Sequence, residues 1–264
     1  MLSRLTRPWA VAVCAVPVVA LLATAALSPL PFSLAQPGMT ADVLGEYKGT
    51  PVITISGAKA RATTGQLRMT TIEATNPDVR ISLRQVVDAW FATDRAVMPR
   101  DAVYPSGSST KEIEQHNTEQ MTQSQDAATH AALDYLHLED KGIKVSLKLS
   151  DVGGPSAGLM FTLGIIDKLD SSGASHGGLT GGRAIAGTGT IADDGTVGAV
   201  GGVPLKTMAA RRDGATVFLV PKAECADATS ELPKGLRLIP VTTLKGAISS
   251  LHALETGKGN VPAC

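Results

Sequence analysis

The first long feature in the hydropathy pattern is a stretch from Pro8 to Ala41 that carries no charge. Its most apolar part, Trp9 to Leu27, predicts a helix close to the roughly 20 residues that cross a bilayer. Pro17 falls inside it, which a membrane helix tolerates. Residues 28–41 are rich in Pro, Ser and Gly and predict a linker, taken to run to residue 48. Between Thr50 and Ala74, β-branched runs broken by Gly57 and Gly65 predict strands joined by turns. Residues 82–92 predict a short helix with Trp90 and Phe91 on its apolar side, and 99–116 a polar loop. Asn117 with Gln120 three residues later predicts a capping box. The helix it opens carries Met121, Ala128, Ala131, Ala132 and Tyr135 at helical spacing and ends near Leu138. "IKVSLKL" (143–149) alternates as a half-buried strand. Glycine-rich "DVGGPSAG" follows, then Leu159 to Leu169 as a buried helix. Short strands are expected over 183–203 around a two-residue Asp194-Gly195 hairpin turn. Pro204 opens a helix over Leu205 to Arg212 that Gly214 stops. Strands at 216–221 and 236–241, with helices near 222–231 and 244–254, complete an α+β pattern.

Five units follow from this pattern. They are an apolar N-terminal segment (1–27), a linker (28–48), a unit of strands and helices (49–142), a core (143–255) and a tail (256–264).

Charge removes some functions from consideration. With 24 Lys and Arg against 24 Asp and Glu, the net charge is zero, so nothing favours nucleic acid. Aromatics at 3% do not make a stacking platform. The three cysteines at 14, 225 and 264 form no CxxC pair and there is no HExxH, so neither metal nor cofactor is expected. Nor is there a GxxxxGK[ST] nucleotide loop or an internal repeat. Arg4 and Arg7 precede the apolar stretch and none follows soon, which predicts a cytoplasmic N-terminus and an exported remainder. A signal peptide cleaved at Ala23-Thr24-Ala25 is the alternative to an anchor. Export would let Cys225 and Cys264 form a disulfide, with two free thiols as the alternative and Cys14 left alone in the membrane.

Candidate chemistry lies in two segments. Gly153-Gly154-Pro155-Ser156-Ala157-Gly158 sets a serine between strand and helix, flanked by residues with little side chain. A nucleophile needs such exposure, and N–H groups at a helix start can stabilise an oxyanion. The pattern matches GxSxG, although a plain turn would read the same. In Gly201-Gly202-Val203-Pro204-Leu205-Lys206 the lysine falls in the first turn of a helix among apolar neighbours. There the helix end and desolvation both oppose its protonation. An ordinary surface lysine remains open from these residues alone.

Taken together, GPSAG followed by GGxxxK resembles the active-site pattern of the Lon-type serine proteases, which use a Ser-Lys dyad. "AGTGTIADDGTVGAVGG" and "AARRDGATVFLVP" extend the resemblance over residues 143 to 250. It implies Ser156 as nucleophile, Lys206 as general base and Thr188 as the residue that positions the lysine. It also implies oxyanion-hole donors among the backbone N–H groups of Gly154 and Ser156. The implied fold is a Lon-type α+β proteolytic domain behind an N-terminal transmembrane anchor, with 143–255 as the catalytic core.

The anchor, "PVITISGAKARATTGQLRMTTI" and "NTEQMTQSQDAATHAALDYL" resemble a narrower group, outward-facing membrane-anchored bacterial Lon-like proteases. That group usually carries a PDZ domain after the long helix. Here only "HLEDKGIKVSL" fills the gap, and "SSGASHGG" (171–178) is a small insert. The resemblance implies a single-pass, ATP-independent endopeptidase of the cell membrane, with a homo-oligomer compatible with it. Its substrate would be a peptide or an exposed protein segment, added beside the strand at 143–149. Two alternatives stand beside this reading. One is a Ser-His-Asp hydrolase drawing on His116, His130, His137, His176 or His252. The other is a non-catalytic anchored scaffold.

Overall fold

The computed structural model describes residues 7–104, 109–149, 154–170 and 178–264. In chain order the elements are α1 (Arg7–Leu27), β1 (Phe32–Asp42), β2 (Glu46–Tyr47), β3 (Thr50–Pro51), β4 (Ile53–Ser56), β5 (Gln66–Ala74), α2 (Leu83–Trp90), β6 (Ala96–Pro99), α3 (Arg100–Val103) and α4 (Thr110–Tyr135). After them come β7 (Lys144–Leu147), α5 (Gly158–Leu169), β8 (Ala184–Gly187), β9 (Thr190–Ile191), β10 (Val197–Gly198), α6 (Val203–Arg212), β11 (Val217–Pro221), α7 (Cys225–Ser230), β12 (Arg237–Val241) and α8 (Leu244–Thr256). This is the mixed α and β architecture that the sequence pattern predicts.

One sheet organises the molecule, in the order β12-β11-β8-β5-β1-β6. The strands β12, β11, β8 and β5 run parallel, β1 pairs antiparallel with β5, and β6 pairs antiparallel with β1. Every residue of β11 is buried, as a strand covered on both faces must be. Val217 and Leu219 face a core shared with α5 and α8. Phe218 and Val220 face a second, smaller core with Val203 and Ala210 of α6 and Ala228 of α7. The period-2 alternation of one strand thus divides the molecule into two helical layers about the sheet. The helix α5 is buried from Gly158 to Asp167. That explains its unbroken apolar run, which has no polar stripe to interrupt it.

The structure departs from the pattern in four places. Residues 32–42 form the strand β1 and not a linker. Its burial alternates through the small residues Ser33 and Ala35, so hydropathy alone did not mark it. Its register shifts between Pro37 and Thr40, where a proline can sit without breaking the ladder. A Cβ on Gly38 would lie 2.4 Å from Thr71 Oγ1, so the close approach of β1 and β5 requires glycine there.

The long helix starts at Thr110, capped by Ser109 and Glu112, inside the segment expected to be loop. Ser109 Oγ accepts from Glu112 N at 3.3 Å, and Ser109 N donates to Glu112 Oε2 at 3.4 Å. This box outcompetes the Asn117-Gln120 pair because it comes first in the chain. On α2, Trp90 and Phe91 are not on the buried side but are 72% and 82% exposed, while Val86 and Ala89 face inward. The turn between β9 and β10 is longer than two residues. Ala192 N bonds Thr196 O at 3.0 Å, with Gly195 at a φ of 77°.

Cys225 and Cys264 are joined by a disulfide with Cα atoms 5.3 Å apart, tying the C-terminus to the turn after β11. Cys14 is exposed on α1. Among the described residues no helix is long and apolar enough to cross a membrane.

Candidate active site

Ser156 immediately precedes α5 and Lys206 lies on α6, helices on opposite faces of the sheet. Two such layers can meet only beyond a strand end. Here they meet past the C-terminal end of β8, where Thr188 and Gly189 leave the sheet.

Ser156 occupies a single 3-10 turn, Pro155–Ala157, immediately before α5. Gly154 enters this turn at a φ of 91°, which favours glycine. The turn is gripped from two sides. From α4, Ser124 Oγ donates to Pro155 O at 3.0 Å, and Asn117 O accepts from Gly154 N at 3.1 Å. From the end of β8, Gly189 N donates to Ser156 O at 2.9 Å, and Leu159 N donates to Gly189 O at 3.1 Å. A Cβ on Gly158 would lie 3.0 Å from both Ser124 Oγ and Ile191 Cγ2. The last glycine of GPSAG is therefore what lets α4 and β9 close around the serine.

Lys206 is 3% exposed. It follows Gly202, whose φ of 71° starts α6 and whose added Cβ would lie 2.8 Å from Ile72 Cγ2. Lys206 Nζ donates to Thr188 Oγ1 at 3.1 Å. Thr188 Oγ1 in turn donates to Ser156 O at 3.2 Å. Burial lowers the Lys206 pKa to about 8, and the charge of Glu224 opposes the shift only in part. The threonine hydrogen is already given to the Ser156 carbonyl. It cannot occupy the lone pair of a neutral lysine, which stays available for an incoming proton.

Among the described residues no direct hydrogen bond joins Ser156 Oγ to Lys206 Nζ. Such bonds are often long before a substrate is bound. The Gly154 N–H, expected as an oxyanion donor, is taken by Asn117 O in this conformation. Nothing in the local pattern marks Asn117, Ser124, Gly189 or Glu224 as site residues. Asn117 looked like a helix cap, and Ser124 sits in a polar helix whose facing partner no local pattern reveals.

No hydrogen bond joins a described histidine to Ser156 or Lys206. His116 contacts Gln120 at 3.0 Å, His130 pairs with Glu139 at 3.4 Å, and His252 faces Glu255 at 3.9 Å. His176 and Asp151 lie outside the described residues, as do residues 171–177 of the insert. Among the described residues no group of three His, Cys, Asp or Glu side chains is arranged to hold a metal ion.

The family model of the Lon protease (S16) C-terminal proteolytic domain matches residues 115–252, just over half of the chain. The chain belongs to this family. Its match begins within α4 and ends within α8, so it takes in Ser156, Thr188 and Lys206. The Lon protease of Mesomycoplasma hyopneumoniae (strain 232) is 38% identical over 93 residues. That alignment covers 34% of this chain and 10% of the relative, so the chain spans only a small part of the protein it matches. Membership places the chain among Lon-type proteolytic domains.

Proposed function

We propose that the chain is an endopeptidase that works by a Ser156-Lys206 dyad, without ATP, outside the cytoplasmic membrane. The observation that carries the dyad is Lys206, almost fully buried and with its pKa lowered to about 8. A lysine there can be neutral near working pH and can take the Ser156 proton as Oγ attacks the scissile carbonyl. The resulting lysine ammonium then protonates the leaving amine. Water, deprotonated by the same lysine, hydrolyses the acyl-serine. Thr188 orients the amine throughout. The Ser156 N–H is one oxyanion donor, and Gly154 N–H becomes a second once it leaves Asn117 O.

An extended peptide fits beside β7. Among the described residues this strand pairs only with β4, leaving its other edge for main-chain hydrogen bonds. ATP independence rests on the resemblance to the outward-facing, membrane-anchored Lon-like group. An anchored, outward-facing placement is supported by the sequence alone, with Arg4 and Arg7 ahead of the charge-free stretch from Trp9 to Leu27. A homo-oligomer is compatible with this reading.

The test is labelling of the full chain by a serine-reactive phosphonate, together with cleavage of a quenched casein-derived peptide. Wild type should show both, and Ser156→Ala should lose both. Retained cleavage in Ser156→Ala would refute the dyad.

A further inference from the structure

Among the described residues, the exposed large apolar side chains are concentrated on two neighbouring helices, α1 and α2. On α1, Val11, Val13, Val16, Val18, Val19 and Leu21 are each at least 50% exposed. At about 100° per residue, these six positions point to every side of the helix. A helix that is apolar all round is stable only within an apolar medium. A single docked protein covers one side of such a helix, whereas acyl chains cover all of them.

The surface of α2 divides into three sectors. Val86 and Ala89 face the protein core, and Arg84 and Asp88 form an exposed ion pair at 3.7 Å. Between them lies an exposed apolar sector of Leu83, Val87 and Trp90 at i, i+4 and i+7, with Phe91 just past the last turn. An apolar patch of this kind marks an interaction surface. Tryptophan beside aliphatic residues, with charges alongside, is the composition of a helix that lies in the plane of a bilayer interface.

The chain joins the two surfaces. The helix α1 ends at Leu27, and three residues later Leu30 N donates to Ile81 O at 2.9 Å. Three residues reach at most about 10 Å. Ile81 immediately precedes Ser82, which caps α2, and the two helices approach each other. A medium that surrounds the C-terminal end of α1 is therefore within reach of α2.

We infer that the Leu83, Val87, Trp90 and Phe91 face of α2 rests on the lipid bilayer that receives α1. The inference rests on the membrane placement proposed above and adds a second contact to it. Because α2 also packs on β6, the edge strand of the main sheet, this contact turns that edge towards the bilayer. The catalytic domain is then held at two points and does not swing on one helix. Trp9→Phe leaves Trp90 as the only tryptophan, a reporter on the face itself. The full chain with this substitution is reconstituted into phosphatidylcholine vesicles, and flotation on a density gradient reports its association. Trp90 emission is read with phosphatidylcholine brominated on its acyl chains and, separately, with iodide in the water.

The chain should float, and Trp90 emission should shift to shorter wavelength, fall with the brominated lipid and be shielded from iodide. The fall should persist in about 0.5 M salt, because the contact is apolar and the flanking Arg84–Asp88 pair carries no net charge. Val87→Glu should weaken it while flotation continues. Flotation with Trp90 open to iodide and untouched by brominated lipid overturns the inference and leaves the membrane placement intact. Trp90 shielded from both quenchers assigns the face to a second copy of the chain and overturns it equally. A chain that does not float removes the membrane placement and this inference with it, and leaves the Ser156-Lys206 dyad to its own test.

Discussion

Lys206 Nζ and Thr188 Oγ1 lie 3.1 Å apart, and the same threonine hydroxyl is committed to the Ser156 carbonyl. The relationship links the two helical layers through a single side chain at the end of β8. It also explains how a lysine survives with 3% exposure: one N–H is satisfied, and burial favours the neutral form. The proposed base is thus poised by its surroundings, with no carboxylate among the described residues in hydrogen-bond contact to hold it charged.

Activity should rise with pH through about 8, the pKa that burial gives Lys206. Lys206→Ala and Lys206→Arg should both abolish turnover, the second because a guanidinium cannot lose its proton at working pH. Single substitution of each histidine should leave the profile where it is. Steady-state kcat/KM from pH 6 to 10 checks this, and substantial activity in Lys206→Arg would sink the dyad.

The same lysine should make stability depend on pH in a defined direction. Its folded pKa, about 8, lies below the ordinary value of 10.5, so between these values the unfolded chain binds more protons than the folded one. Stability from this group therefore rises with pH across that window, and the penalty is fully present below it. Lys206→Met should stabilise the fold at pH 7 by up to about 3 kcal/mol, the equivalent of that pKa difference. The gain should shrink above pH 8. Urea denaturation at pH 7 and pH 10 measures it.

Thr188→Val removes both hydroxyl bonds while keeping the shape. It should lower kcat by about 10–100-fold with little change in KM, since it loosens the lysine and not the peptide site. Thr188→Ser should recover most of the loss. A kcat unaffected by Thr188→Val would show that the lysine is positioned by something else.

Gly158→Ala should be worse than its size suggests. The new Cβ would meet Ser124 Oγ and Ile191 Cγ2 at 3.0 Å and Ile191 N at 3.1 Å. Overpacking of this kind costs about 1–3 kcal/mol. Because both neighbours frame the serine turn, phosphonate labelling should fall even where circular dichroism shows a folded chain.

The Cys225–Cys264 bond closes a separation of 39 residues. Loops of that length are stabilised by roughly 3–4 kcal/mol in the chain-entropy model. Cys264→Ser should lower the melting temperature accordingly. In wild type, alkylation should reach these two cysteines only after reduction. Modification of both without reductant would contradict the bond.

Continuous apolar runs located α5, β11 and β12, and Pro204 and Gly214 bracketed α6, because complete burial and helix ends are both written locally. GPSAG and GGxxxK pointed to the serine and the lysine only through their resemblance to the Lon-type pattern, and the structure gives the local reason for the glycines at Gly154, Gly158 and Gly202. The strand β1 could not be read, since its buried positions are small and its Pro37 belongs to a bulge defined by β5. The start of α4 was written in Ser109 and Glu112, yet a second cap signature competed with it. What only the tertiary structure decided is how the two halves of the site meet. Ser156 and Lys206 lie on different layers, and their approach depends on β8 ending at Thr188, inside a sheet whose strand order no local spacing records. The grip of Asn117 and Ser124 on the nucleophile turn was hidden for the same reason. Contacts between elements distant in sequence are fixed by packing, and a chain read one segment at a time does not contain them.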